Sequence, residues 1–290
     1  MKCRFLTAAL ICLAALICLA ALICLAAFSA LGSAGELRVM SFNVWLAPTP
    51  ESNDWPARRD NLVADIRATD PDLFGLQEAY KHQLDYIMAA LGEYSYVGVG
   101  RDDGAEGGEY CPVLFKTEKF ELLDSGTFWL SETPDIPGKK GWDAACNRVV
   151  SWAKLREKES GKLLVYANTH FDHISELARG ESSKLILKFK EEKAKDLPFI
   201  ITGDFNSVDT DAAYTTIVSG LRDARKAAKT ARGGVRTWPA EKPVKEGENV
   251  IDYIFLSDDF TVESFDIHIN PPNDEPLPSD HYSIDALLTW

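Results

Sequence analysis

Positive charge is scarce in this chain. Lys and Arg total 31 against 44 Asp and Glu, which leaves a formal net charge of −13. An acidic protein gets little long-range help in approaching a polyanion, which argues against tight nucleic-acid binding. Charge of either sign is missing between Phe5 and about Ala34. Cysteine is almost confined to that stretch and its start. Cys3, Cys12, Cys18 and Cys24 fall there, and only Cys111 and Cys146 follow. Two free buried thiols are expected, with a disulfide as the alternative in an oxidising compartment. Ile precedes Cys12, Cys18 and Cys24, so the small residues of a lipobox are absent and a lipid anchor is not expected. Beyond this segment there is no repeat and no second domain boundary.

The uncharged segment follows Lys2 and Arg4 and contains Leu-Ile-Cys-Leu-Ala-Ala three times in tandem. It ends in Gly32-Ser33-Ala34. A positive start, an apolar run and a small-residue exit read as a secretory signal peptide over 1–34. The run is also as long as a bilayer span of about 20 residues, so an uncleaved anchor is the alternative. Cleavage would remove Lys2 and Arg4 and take the net charge from −13 to −15. The remaining 35–290 suffice for one large α/β domain.

Several apolar runs read as buried strands with polar ends. Leu37–Trp45 carries Asn43, Asp72–Glu78 closes on Glu78, and Leu163–His170 closes on His170, with Asp172 and His173 beyond. Pro198–Ile201 leads into Thr202-Gly203-Asp204-Phe205-Asn206, where the glycine suggests a turn. Alternation along an extended backbone would put Asp204 and Asn206 on one side. Asp252 sits among apolar neighbours in Asn249–Leu256, and Asp280-His281 precede the last strand, Tyr282–Leu288. Helices are expected over about Tyr80–Leu91, Ile174–Lys195 and Ala212–Ser219, with another opening at Asp54-Trp55-Pro56. Strands and helices in this mixture imply mixed sheets with helices outside.

Residues collected at strand ends are a candidate site. Glu78, Asp280 and Asn43 offer hard oxygen ligands of the kind Mg²⁺ takes. His170 and His281 can act as acid, base or charge stabiliser near neutral pH. Adjacent side chains on a strand diverge, so His281 needs a partner other than Asp280, and Asp252 is the candidate because a buried carboxylate needs one too. His82 and His268 are assigned no role. The long Pro- and Gly-rich loop 131–145, with Trp142, reads as a surface loop. Arg222 to Lys245 holds Arg222, Arg225, Lys226, Lys229, Arg232, Arg236, Lys242 and Lys245 against Asp223 and Glu241. It is either a rim arm for anionic substrate or a solvated loop that offsets an acidic surface.

Ser-Phe-Asn-Val, Leu-Gln-Glu, Asn-Thr-His-Phe-Asp-His, Gly-Asp-Phe-Asn, Ile-Asp-Tyr-Ile-Phe and Ser-Asp-His follow in that order. Together they resemble the endonuclease/exonuclease/phosphatase superfamily of DNase I-like fold, over Leu37 to the C-terminus. The resemblance implies a four-layer α/β sandwich, two mixed β-sheets flanked by helices. It implies that Glu78, helped by Asn43 and Asp280, holds a divalent metal, Mg²⁺ or alternatively Mn²⁺. It implies that His281, oriented by Asp252, acts as general base or binds phosphate, and that Asp204 and Asn206 position nucleophile and phosphate. His170 would neutralise phosphoryl charge, with Glu109 orienting it. Arg148 would contact phosphate, and Tyr110, Asn147, Asp172 and Trp142 would lie beside the substrate. The inositol-phosphatase signature and the hydrophobic hairpin of secreted sphingomyelinases are missing. The loop 131–145 resembles that of secreted bacterial members.

The expected activity is that of a secreted or periplasmic, Mg²⁺-dependent phosphodiesterase for small or lipid- or sugar-headgroup phosphodiesters. A nuclease is the alternative, and a non-catalytic binding module on the same fold is the distant one. A monomer is expected, with membrane contact only through an uncleaved N-terminal segment.

Overall fold

The computed structural model describes residues 35–239, 249–269 and 276–290. The expected signal segment, Glu241, Lys242 and Lys245 of the basic stretch, and Pro271 and Pro272 lie outside them. Among the described residues no helix is long and apolar enough to cross a membrane.

The chain opens with β1 (Glu36–Asn43), a short 3₁₀ turn at Ser52–Asp54, α1 (Trp55–Thr69), β2 (Leu73–Gln77), α2 (Lys81–Ala90), β3 (Tyr94–Val97), β4 (Val113–Lys116), β5 (Phe120–Trp129) and β6 (Val149–Glu157). It continues through β7 (Leu163–His170), α3 (Glu176–Lys193), β8 (Phe199–Asp204), α4 (Ala212–Ile217), β9 (Arg222–Asp223), α5 (Ala224–Ala227) and β10 (Thr230–Arg232). It ends in β11 (Asp252–Leu256), β12 (Thr261–Ile267) and β13 (Ile284–Thr289). The strands form a seven-stranded sheet, β10-β12-β13-β1-β2-β4-β3, and a six-stranded sheet, β5-β6-β7-β8-β11-β9. Both are mixed. β1 runs parallel to β2 and antiparallel to β13, and β7 runs parallel to β8 while β11 opposes β8.

Period-two alternation sorts the residues into layers. In β1, Leu37 and Val39 face the second sheet and join the core around Tyr166, Ile200 and Ile254. Met40 and Phe42 face the other way, onto Leu62, Val63 and Ile66 of α1 and Leu84 and Ile87 of α2. On the far side of the second sheet, Phe199 packs with Phe189 of α3, and Phe255 with Tyr214 of α4. Helix, sheet, sheet and helix therefore stack as four layers.

The sheets approach closely at Gly75, where a Cβ would lie 2.2 Å from Asn168 Oδ1. An alanine there would collide with the Asn168 and Thr202 side chains. Beside it the inter-sheet core turns polar. Gln77 Nε2 donates to Ser41 Oγ at 3.1 Å and to Asn168 Oδ1 at 2.7 Å. Asn168 Nδ2 donates to Leu76 O and Pro112 O. Apart from Gln77 Oε1, which has no partner, these amides bond within the seam, which leads to the strand ends where Asn43, His170, Asp204 and Asp252 stand.

The basic stretch is not an extended arm where it is described. It contributes β9, α5 and β10, and its cations pair with acids. Arg222 meets Asp258, Lys226 meets Asp209, Lys229 meets Glu263 and Arg232 meets Asp266.

Candidate active site

Asn43 is the last residue of β1 and shares the inner face with Leu37 and Val39. Its amide Nδ2 donates to Asp204 Oδ2 at 3.0 Å and to Glu78 Oε1 at 3.1 Å, joining the two sheets. Its Oδ1 accepts from Trp45 N. Glu78 follows β2 with φ 65, a left-handed conformation that turns its side chain back toward β1. Its other oxygen accepts from Leu46 N at 2.8 Å. Trp45 and Asn206 also have positive φ, so three strand-end turns at this site use a conformation that non-glycine residues seldom adopt.

Arg58 holds the loops together from behind. It is fully buried and donates to Val44 O, Trp45 O, Asn53 O and Pro278 O. Burial lowers its pKa to about 10, offset in part by the charges of Asp280 and Glu78. Ser279 Oγ donates to Asn43 O, which ties the Asp280-His281 turn to the end of β1.

His281 is buried with Nδ1 2.9 Å from Asp252 Oδ2. Burial by itself would lower its pKa. The charge and hydrogen bond of Asp252, with Asp204 and Asp280, override this and raise it to about 10. His281 is therefore an imidazolium at neutral pH, and its Nε2 lies 3.7 Å from Asp204 Oδ2. Asp204 is pushed up to about 7, by burial and by the neighbouring charge of Asp252. Its Oδ1 accepts from Asn206 N at 2.9 Å, an Asx turn that ends the strand. Asp204 and Asn206 thus reach the same site through this turn and not by strand alternation. The turn begins after Gly203, which lies inside β8, where a Cβ would come 2.5 Å from Thr169 O.

His170 differs from the expected charge-neutralising role. Burial, with the guanidinium charges of Arg148 and Arg101 nearby, holds its pKa well below the ordinary histidine value, so the ring is neutral. Its Nε2 lies 3.0 Å from Asn206 Nδ2 and 3.4 Å from Asp204 Oδ2. Glu109, expected to orient it, bonds instead to Arg101 at 2.6 Å. His170 Nδ1 has no hydrogen-bond partner.

Glu78, Glu109, His170, Asp204, Asn206, Asp280 and His281 line a cavity of about 560 Å³ with Arg101, Cys146, Arg148, His173, Arg179 and Trp238, and Asn43 and Asp252 stand behind them. Four further sequence candidates are not among its lining residues. Tyr110 is buried and its hydroxyl donates to Ala105 O. Asn147 donates to Asp102 in a neighbouring depression. Asp172 is buried under the turn into α3, accepting from the backbone of Cys146, Ile174 and Ser175. Trp142 lies in the surface loop and is not among the lining residues. Cys111 is buried but Cys146 is only half-buried, and both thiols are free.

Arg101, His173, Arg179 and Trp238 were not singled out from the sequence. Arg179 carried a readable signal, because it falls on the buried stripe of α3 with Ala178, Ser182, Ser183, Ile186 and Phe189. Arg101 carried none in its Gly- and Asp-rich loop.

The donor set fits a hard divalent cation. Glu78, His170 and Asp204 bring ligand atoms within 4.8 Å of one another. Asp280 is raised by burial and, among other terms, by the charge of Glu78, a repulsion that a cation relieves. Asn43 turns its Nδ2 to two of these carboxylates and its Oδ1 to Trp45 N, and no thiolate belongs to the group.

The profile of the endonuclease/exonuclease/phosphatase family matches residues 40–281. A solved endonuclease/exonuclease/phosphatase of Bacteroides vulgatus is 39% identical, covering 88% of this chain and 98% of that one at a TM-score of 0.82. A mannosyl-6-phosphatase of Bacteroides thetaiotaomicron is 35% identical, covering 88% and 100% at a TM-score of 0.80. Nocturnin of Drosophila melanogaster is 25% identical over 217 residues, which are 66% of this chain and 32% of that protein. The chain thus spans about a third of that curated relative's length.

Proposed function

The chain belongs to the endonuclease/exonuclease/phosphatase family and is a phosphoester hydrolase, and from that premise we propose a Mg²⁺-dependent enzyme for small phosphoesters of sugar or lipid-headgroup type, exported from the cell. The observation that carries this reading is the network in which Asn43 joins Glu78 to Asp204 and Asp204 meets His281, three of these four lining one cavity. The volume of about 560 Å³ is that of a small-molecule site. Both a phosphodiester, which the sequence reading placed first, and a monoester of that size fit such a volume. The sugar phosphatase among the similar structures supports a sugar phosphoester. A nuclease is supported less well, because the basic stretch is engaged in ion pairs.

Glu78 and Asp280 would hold the metal, with Asn43 bonding the Glu78 carboxylate beside it, and the metal would supply Lewis-acid stabilisation of charge on the phosphoryl oxygens. Asp204, with a pKa near 7, is suited to accept a proton as a water oxygen bonds to phosphorus. Asn206 beside it would hold the phosphoryl group. The imidazolium of His281 binds the phosphoryl oxygens electrostatically, the second of the two roles the sequence left open for it. The P–O bond to the alcohol breaks in line with the attack, and the leaving alkoxide takes up, through water, the proton that Asp204 accepted.

The test is turnover of a panel on the purified protein: a sugar phosphate, a headgroup diester, single- and double-stranded DNA, and RNA. Chelation should abolish hydrolysis and Mg²⁺ should restore it, while Glu78→Gln should weaken Mg²⁺ binding measured by calorimetry. Full activity in excess chelator would overturn the metal assignment. Export predicts an intact mass beginning near residue 35, and Met1 retained in a membrane fraction would select the anchor.

A further inference from the structure

One wall of the cavity is cationic and is only partly satisfied. Arg101 comes from the loop after β3, Arg148 from the residue before β6, and Arg179 from the first turns of α3. Arg148 is 5% exposed, and its Nη2 donates to His173 Nδ1 at 3.2 Å. Its Nε and Nη1 have no hydrogen-bond partner, and neither has Arg101 Nε. Two buried carboxylates face these three guanidinium groups. Glu109 is bonded to Arg101, and Asp172 lies 3.9 Å from Arg148 with its oxygens already accepting backbone N–H groups. Arg179 donates to Asp172 O. Glu176 and Asp211 stand on the more exposed part of the lining.

This wall adjoins the phosphoryl site. β6 and β7 pair antiparallel with Val150 opposite Thr169, so Arg148 lies just beyond the level of His170. Asn206, bonded to His170, lies on the same cavity. A diester presents two non-bridging oxygens and one negative charge. A monoester dianion presents a third oxygen and a second charge. In a diester that third position carries a neutral alkoxy substituent, which cannot accept from buried guanidinium N–H groups as an anionic oxygen does. Sites built to hydrogen-bond a group reject analogues that lack it, because the donors are left unpaired.

We propose that Arg101, Arg148 and Arg179 make this site selective for the dianion of a phosphomonoester over a phosphodiester. The inference rests on the phosphoester-hydrolase reading and decides the substrate class within it. It replaces the diester preference drawn from the sequence.

The experiment compares kcat/KM for nitrophenyl phosphate and bis(nitrophenyl) phosphate with Mg²⁺, and binding of inorganic phosphate and dimethyl phosphate by calorimetry. The wild type should prefer the monoester by about 10²-fold or more. Arg148→Gln should lower monoester kcat/KM by about 10²-fold and diester kcat/KM by less than about threefold, with phosphate binding weakened in parallel. Arg179→Gln is the second variant, should Arg148→Gln fail the circular-dichroism check of folding. A wild-type preference for the diester, or variants that lower both esters equally, would overturn the selectivity. If neither ester turns over while phosphate binds through Arg148 and dimethyl phosphate does not, the hydrolase reading fails and the dianion site stands.

Discussion

Asn206 fixes which ring nitrogen of His170 carries the proton. Its Nδ2 lies 3.0 Å from Phe171 O and 3.0 Å from His170 Nε2. A carbonyl only accepts, so the amide nitrogen sits there and its second hydrogen goes to Nε2. Nε2 is therefore the acceptor, and the neutral ring carries its proton on Nδ1. The sequence reading gave Asn206 to the phosphate, and the structure gives it the histidine as well.

Asn206→Gly tests this pairing. Asn206 has φ 45, so glycine keeps the backbone turn while removing the amide, whereas alanine would add strain. Turnover should fall by about 10²-fold, the usual size of a lost acid/base or positioning group. The His170 ring nitrogens, followed by NMR, should lose the single-tautomer signature. Unchanged turnover and tautomer would show that the amide does not govern the ring.

Asp252→Asn addresses the other histidine. Asp252 is the main group raising His281, so the carboxamide should let the imidazolium lose its proton and favour the wrong tautomer. Turnover should drop by about 10²-fold or more. Steady-state kinetics at saturating Mg²⁺ measures it, and a near-wild-type rate would mean His281 is not needed as an imidazolium.

The ion pairs of the basic stretch predict indifference to salt. Replacing Lys226, Lys229 and Arg232 together by Ser should leave hydrolysis of a small phosphoester within about twofold, since none of them lines the cavity. Binding of single-stranded DNA should show a shallow log–log salt slope before and after the change. A polymer-binding arm would instead give about −0.7 per phosphate neutralised on a single strand, reduced in the variant.

His268 sets a pH dependence of stability away from the cavity. Its hydrogen bond to Asp285 at 2.6 Å raises its pKa, against burial, which lowers it. A folded-state value above the unfolded one stabilises fully below about pH 6.5 and is lost as pH rises through the folded value. The ring is 39% exposed, so screening limits the effect to less than about 1 kcal/mol. Calorimetry should show wild type and His268→Gln further apart in melting temperature near pH 6 than near pH 9. An equal gap at both values would remove the assignment.

The limits of the sequence reading show in particular elements. β7 was legible to both ends, and β8 within a residue at its start, because a buried strand is a local pattern of apolar residues closed by a polar one. α3 was expected from Ile174 and begins at Glu176, since the Ser175 side chain accepts from Ala178 N and caps it. β3 stops at Val97, where Gly98 takes φ 142 and the chain turns into the loop. Trp142, Tyr110 and Asn147 had the right chemistry and the wrong direction, which depends on loop packing.

The order of Asn43, Glu78, His170, Asp204, Asp252 and His281 along the chain determined by itself that a polar cluster would stand at the ends of buried strands. Asn43, His170 and Asp204 close their strands, Asp252 opens one, and Glu78 and His281 lie just outside theirs; inner-face placement follows from alternation for those within a strand. Tertiary structure alone decided the charge states and the arginine wall. The imidazolium of His281 depends on Asp252 and Asp204 reaching it from other strands. The neutral His170 depends on its burial and then on Arg148 and Arg101 arriving from two further segments. Buried electrostatic effects are set by distance and desolvation, and neither exists until the two sheets have closed over Gly75.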